Sequence, residues 1–103
     1  MEKTLLGIDI GTSACKVALF NRKGKVLAQS NQPYQVYYPH PGWVEQDPEE
    51  WWKAICDGIR DCLTKSGVDP KNIQGIGIDG QSWSAIPVDR DGRCLSNTPI
   101  WMD

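Results

Sequence analysis

Apolar and polar positions alternate in short runs along the first thirty residues. Leu6, Ile8 and Ile10 share one face at a period of two, and Cys15, Val17 and Leu19 repeat the pattern after a polar bend. The alternation predicts strands over Leu5–Ile10, Cys15–Asn21 and Lys25–Gln29. Two tight turns join them, Gly11-Thr12-Ser13 and Asn21-Arg22-Lys23-Gly24, so the three strands form an antiparallel meander. From Asn31 to Val44 the alternation stops. Pro39, Pro41 and Gly42 exclude a long regular element there, and three tyrosines with Trp43 crowd the segment. Aromatic groups on such a loop either pack over the domain edge or line a cleft, and packing is the simpler role.

A period of 3.6 takes over at residue 47. Asp47 is an N-cap acid, Pro48 stands at the first helical position, and Glu50 follows three residues after the cap as in a capping box. The helix is predicted over Pro48–Ser66 and ended by Gly67, with Trp52, Ile55, Cys56, Ile59, Cys62 and Leu63 as its apolar stripe. Glu49–Lys53 and Asp61–Lys65 are spaced as ion pairs along it. Such a stripe needs a sheet to cover, and the meander supplies one. Ile73–Asp79 then reads as a further strand, with Gly75 and Gly77 allowing close packing under the helix. Ala85–Asp89 reads as a short edge strand broken by Pro87, and Asp89–Arg93 as a turn. The chain stops at Asp103 with no second helix for the other face of the sheet, which suggests part of a domain.

Composition narrows the function classes. A hydrophobic content of 40% is that of a globular chain, not a disordered one. A formal net charge of -2 with no basic block excludes nucleic acid as the expected partner. Cys15, Cys56, Cys62 and Cys94 form no C-x-x-C pair and His40 is the only histidine, so neither a zinc site nor a disulfide scaffold is expected. Asp79, Asp89 and Asp91 lack the twelve-residue loop and closing glutamate of a calcium site. No apolar run approaches the length of a membrane span and no signal segment is present, so a cytoplasmic protein without membrane contact is expected.

The candidate chemistry lies in the first bend. A hairpin turn needs glycine but not an acid before it and a lysine after it, and this one carries Asp9 and Lys16. Backbone N–H groups of such a turn form an anion nest, Asp9 can hold a hydrated magnesium ion, and Thr12 and Ser13 can donate to phosphate oxygens. An ordinary polar bend also accounts for the same residues. The second candidate is Gly80-Gln81-Ser82-Trp83-Ser84, a polar loop at the carboxyl end of a strand, where substrate sites are common.

Four segments together carry a resemblance: Gly7-Ile8-Asp9-Ile10-Gly11-Thr12-Ser13 with Lys16, Gly42-Trp43-Val44-Glu45-Gln46-Asp47-Pro48, Gly80-Gln81, and Ile100-Trp101-Met102-Asp103. In this order and spacing the chain resembles the FGGY carbohydrate kinases, and within them looks most like the xylulokinase group. The resemblance implies an α/β protein of ribonuclease H-like, actin-type fold, with three antiparallel strands, a covering helix and a further parallel strand. It implies ATP and Mg2+ as cofactors, and transfer of the gamma-phosphoryl group to a sugar hydroxyl, xylulose or another ketopentose first. Gluconate, glycerol, erythritol and ribulose are the alternatives. Carried over by position, Asp9 and Lys16 are the catalytic candidates and Asp9 the metal ligand. Gly11, Thr12 and Ser13 face phosphate; Gln81, Ser82, Trp83, Trp101 and Asp103 face the sugar. Xylulokinases commonly read Gly-Gln-Met-His-Gly where this chain has Gly80-Gln81-Ser82-Trp83-Ser84, so an indole with one donor replaces a histidine. The family's catalytic base and adenine pocket lie downstream. Residues 1–103 are therefore expected to be the N-terminal portion of the first kinase domain, inactive alone, and the resemblance leaves room for a homodimer. An actin-like ATPase shares the Asp9 turn but not the two tryptophan segments, and a non-catalytic binding domain explains neither.

Overall fold

In the computed structural model, which describes residues 3–82 and 84–101, the N-terminal runs pair as their alternation requires. Strands β1 (Thr4–Ile10), β2 (Ala14–Asn21) and β3 (Val26–Pro33) form an antiparallel meander. Strand β3 extends four residues past its predicted end, because Gln32 and Pro33 stay paired with Cys15 and Ala14 despite their polar sequence. Cross-strand pairing outweighs local preference there. Beyond residue 47, β5 (Ile73–Gly80) returns parallel to β1, so the sheet order is β3-β2-β1-β5.

Helix α1 spans Pro48–Ser66, the range its caps predict. The Asp47 carboxylate accepts from the Glu49 N–H at 2.9 Å. Gly67 closes the other end at φ 70°, its N–H donating to Leu63 O. Glu50 does not complete the capping box. Its carboxylate instead accepts from the Tyr37 hydroxyl and the Gln35 N–H, tying the proline-rich loop to the helix. Lys65 pairs with Asp61 at 2.9 Å as expected, whereas Lys53 turns forward to Asp57 at 2.6 Å and leaves Glu49.

The helix face differs from the predicted stripe. Ala54, Gly58 and Cys62 are buried, Ile55, Ile59 and Leu63 flank them half-buried, and Trp52 is 64% exposed. Small residues win the centre because the helix approaches the sheet closely. A Cβ at Gly58 would lie 2.6 Å from Val17 Cγ2. Around this contact Leu6, Ile8, Cys15, Val17 and Leu19 join Ala54 and Cys62 in the core.

Helix α1 lies over β2 and β3 and barely reaches β1, so β5 beyond Ile73 is left largely without a cover. Ile76 and Ile78, in register with Leu6 and Ile8, extend the apolar face beyond the helix and are exposed. Gly75 stands beside Leu5 on the opposite face, so the expected packing of Gly75 and Gly77 under the helix does not occur.

Ala85–Asp89 is not a strand; of it only Val88 pairs, with Cys94. The partner strands are instead β4 (Glu45–Gln46) and β6 (Thr98–Pro99), antiparallel and two residues each. Asp89–Arg93 is a turn, with the Asp89 carboxylate accepting from Asp91 N at 2.8 Å and Arg93 N at 3.0 Å. This mixed sheet with its covering helix is the ribonuclease H-like arrangement that the sequence implied. All four cysteines are free, and no described helix is long and apolar enough to cross a membrane.

Candidate functional site

Because β1 and β5 run parallel, their carboxyl ends lie at the same end of the sheet, where antiparallel β2 begins. The Gly11–Ser13 turn and the loop after Gly80 therefore meet. Gln81 N donates to Ile10 O at 2.9 Å, and Gly11 N to Ala14 O at 3.0 Å. Glycine at position 80 permits this closeness, since a Cβ there would sit 3.0 Å from Ile10 O. A hollow of about 480 Å³ results, lined by Asp9, Gly11, Thr12, Gly80, Gln81, Ser82 and Trp101. The Trp101 indole N–H donates to Thr12 Oγ1 at 2.9 Å while its ring stays 58% exposed, so Trp101 is a wall of the hollow and not a core residue. Ser13 has an exposed side chain and a carbonyl that accepts from Tyr34 N. Trp83 and Asp103, which the resemblance places toward the sugar, lie outside the described residues.

A second relationship runs across the sheet. Asn31, Lys16, Asp9 and Asp79 stand side by side on β3, β2, β1 and β5. With Gly7 and Gly77 they line a wider hollow of about 960 Å³ that Lys65 of α1 also borders, and Asp9 borders both hollows. A hydrogen bond with the Asp9 carboxylate, reinforced by its charge, holds the Asp79 carboxyl above the ordinary carboxylate range. Burial, followed by the charges of Cys15 and Asp9, raises the Tyr34 phenol. Its hydroxyl donates to Gly11 O, which ties the turn to the end of β3. Lys16 makes no ion pair with Asp9 among the described residues.

Two residues join the site that the sequence did not single out for it. Asp79 becomes visible only through the register of a parallel strand pair. Gln46, 1% exposed on β4, reaches the turn and the loop together. Its Nε2 donates to Thr12 O at 2.5 Å, while its Oε1 accepts from Trp51 Nε1 at 3.0 Å and Gln81 Nε2 at 2.7 Å. Gln81 Oε1 is buried and has no partner among the described residues.

The donor set suits magnesium better than zinc or calcium. Asp9 and Asp79 offer two hard carboxylates beside open space, and Mg2+ is bound through one or two carboxylates with its remaining positions taken by water and phosphate. Among the described residues no group of three or more acidic, histidine or cysteine side chains gathers into a fuller metal cage. Gly11 and Thr12 line the smaller hollow beside the Asp9 carboxylate.

Residues 4–103 match the N-terminal domain of the FGGY family of carbohydrate kinases. The chain is 36% identical over 101 residues to a glycerol kinase of Thermococcus gammatolerans, covering 98% of this chain and 20% of that protein. Its structure resembles a gluconate kinase from Lactobacillus acidophilus with a TM-score of 0.90 at 31% identity, over 100% of this chain and 20% of the other. A xylulose kinase from the same organism gives a TM-score of 0.88 at 32% identity, over 98% and 20%. The chain thus spans about a fifth of the length of these relatives, and no single acceptor is common to their names.

Proposed function

This chain belongs to the FGGY family of carbohydrate kinases, and from that premise we propose that it forms the N-terminal portion of the first domain of an ATP-dependent sugar or polyol kinase. The observation that carries the reading is the convergence of Asp9, Thr12, Gln81 and Trp101 on one hollow at the carboxyl ends of β1 and β5. Asp9, with Asp79 beside it, holds the hydrated magnesium of the nucleotide. Bound magnesium neutralises charge on the transferring phosphoryl group. Thr12 and Ser13 steady the phosphate through backbone N–H groups and hydroxyls, Gly11 shapes the turn with its own N–H held by Ala14 O, and Lys16 supplies positive charge from the neighbouring strand. Gln81, Ser82 and Trp101 form the wall that orients the acceptor hydroxyl, and the family resemblance assigns Trp83 and Asp103 to the acceptor as well. The base that takes its proton comes from outside this chain, so these residues alone carry out no turnover.

The acceptor is a small polyhydroxy compound. Ketopentoses such as xylulose remain within this class, but relatives named for glycerol and gluconate support the broader reading equally. Free thiols suit a reducing compartment, and we assign the cytoplasm. The test is magnesium-dependent phosphorylation by the full-length protein of glycerol, erythritol, gluconate, ribulose and xylulose. Saturable ATP consumption with one of them is expected. Failure with the whole panel, by a folded protein that binds MgATP, overturns the reading.

A further inference from the structure

We propose that Gln46 is a positioning residue that sets the phosphate-facing turn and the acceptor-facing loop jointly, through one buried side-chain amide. The proposal rests on the kinase reading for its effect on turnover, but its structural part stands without it. Gln46 is almost wholly enclosed, and both ends of its amide are engaged. Its Nε2 meets the carbonyl of Thr12 in the turn, and its Oε1 meets Gln81 Nε2 in the loop after β5.

The polarity of this bridge is fixed from outside the hollow. The Trp51 indole N–H can only donate, so the Gln46 atom 3.0 Å away must be the oxygen. The other end of the amide is then the NH2 group, which fits the Thr12 carbonyl it meets. Gln81 must present its own NH2 group to Gln46, a choice its 3.4 Å contact with Gly11 O repeats. Gln81 Oε1 is thereby left as a buried acceptor without a donor among the described residues. One indole in the first turns of α1 therefore dictates which way the Gln81 amide points at the hollow's edge. Moving Gln46 shifts the turn and the loop together, because each relies on the same amide.

The experiment uses the full-length protein with Gln46→Glu, Gln46→Leu and Trp51→Phe. Gln46→Glu keeps the shape and the acceptor but loses the donor to Thr12 O. Hydrogen exchange read by mass spectrometry should quicken about tenfold in both segments 11–14 and 80–82, while α1 beyond its first turns stays at its wild-type rate. In steady-state assays kcat should fall about tenfold or more in Gln46→Glu and further in Gln46→Leu. Acceptor KM should change by much less. Trp51→Phe, which leaves Gln46 in place, should loosen the Gln81 loop more than the turn. A packing role alone would speed exchange across the helix and sheet and leave kcat per folded enzyme unchanged. That result, or a change confined to one segment in Gln46→Glu, or kcat within twofold of wild type, overturns the proposal. If the wild-type enzyme phosphorylates nothing in the panel, the kinase reading fails by itself and the exchange data still decide on Gln46.

Discussion

Asp9 and Asp79 stand in register on adjacent parallel strands, and one carboxyl hydrogen-bonds to the other. The proton that Asp79 retains makes stability depend on pH. Asp79 in the folded chain holds a proton that the unfolded chain releases above its ordinary value of 3.8, so stability is lost as pH rises from there through the raised value. Asp79→Asn keeps a donor for Asp9 and removes the repulsion. In metal-free buffer it should melt at a higher temperature than wild type at pH 7, with the advantage shrinking as the pH falls towards 3.8. Calorimetry across that range checks this, and equal melting at pH 7 would show that the two carboxylates do not repel.

Asp9 borders both hollows, and the proposed kinase reading gives it the nucleotide's metal and phosphate. Replacing it by asparagine in the full-length enzyme should lower kcat by on the order of a hundredfold, with acceptor KM little changed, because charge on the phosphoryl group changes most in the transition state. Steady-state kinetics at saturating magnesium measure this. A rise in acceptor KM at constant kcat would move Asp9 to the sugar side.

Gly58 sits on Val17, with no room for a methyl group between them. Gly58→Ala should cost about 1–3 kcal/mol through overpacking, despite alanine's better helix propensity. Adding Val17→Ala should return part of that loss, which urea unfolding of the two single variants and the double variant would reveal as coupling. Additive losses would mean that the helix shifts away without resistance.

Asp47 caps α1 through the Glu49 N–H at 2.9 Å. Asp47→Ala should destabilise the protein by about 1 kcal/mol, and Asp47→Asn by less, since asparagine still offers an oxygen. Thermal melts of both variants test the ranking.

How far the sequence reached can be judged residue by residue. The meander and α1 were legible because Leu6–Ile10 and Cys15–Leu19 alternate cleanly and Asp47, Pro48 and Gly67 punctuate the helix. Trp52 misled because it shares a period with Ile55 and Ile59, while the approach of helix to sheet is decided by the smallest residue on the face, Gly58. Strands β4 and β6 are too short to show any period, so Gln46 looked like one polar residue among several. Its burial comes from tertiary contacts with Thr12, Trp51 and Gln81. The Asp9 turn and Gln81 could be singled out from their residue types and the family resemblance. Asp79 could not, since only the pairing of Thr4 with Ile73 and Asp9 with Asp79 brings it beside the turn.

The lone parallel pairing in the main sheet also carries a consequence for the order of assembly. Strands β1, β2 and β3 close through short turns, and α1 folds back on β2 and β3, so these parts pay little loop-closure entropy. Strand β5 must return to β1 across everything between them, and it docks with little help from α1. We expect pulse-labelled hydrogen exchange during refolding to protect β1 and β2 before β5; simultaneous protection would contradict this order. Gln81 reaches Ile10 and Gln46 only when that last strand arrives. Competence to bind would then be acquired at the final step, and a chain stalled before it would keep its meander and helix while leaving the acceptor wall unbuilt.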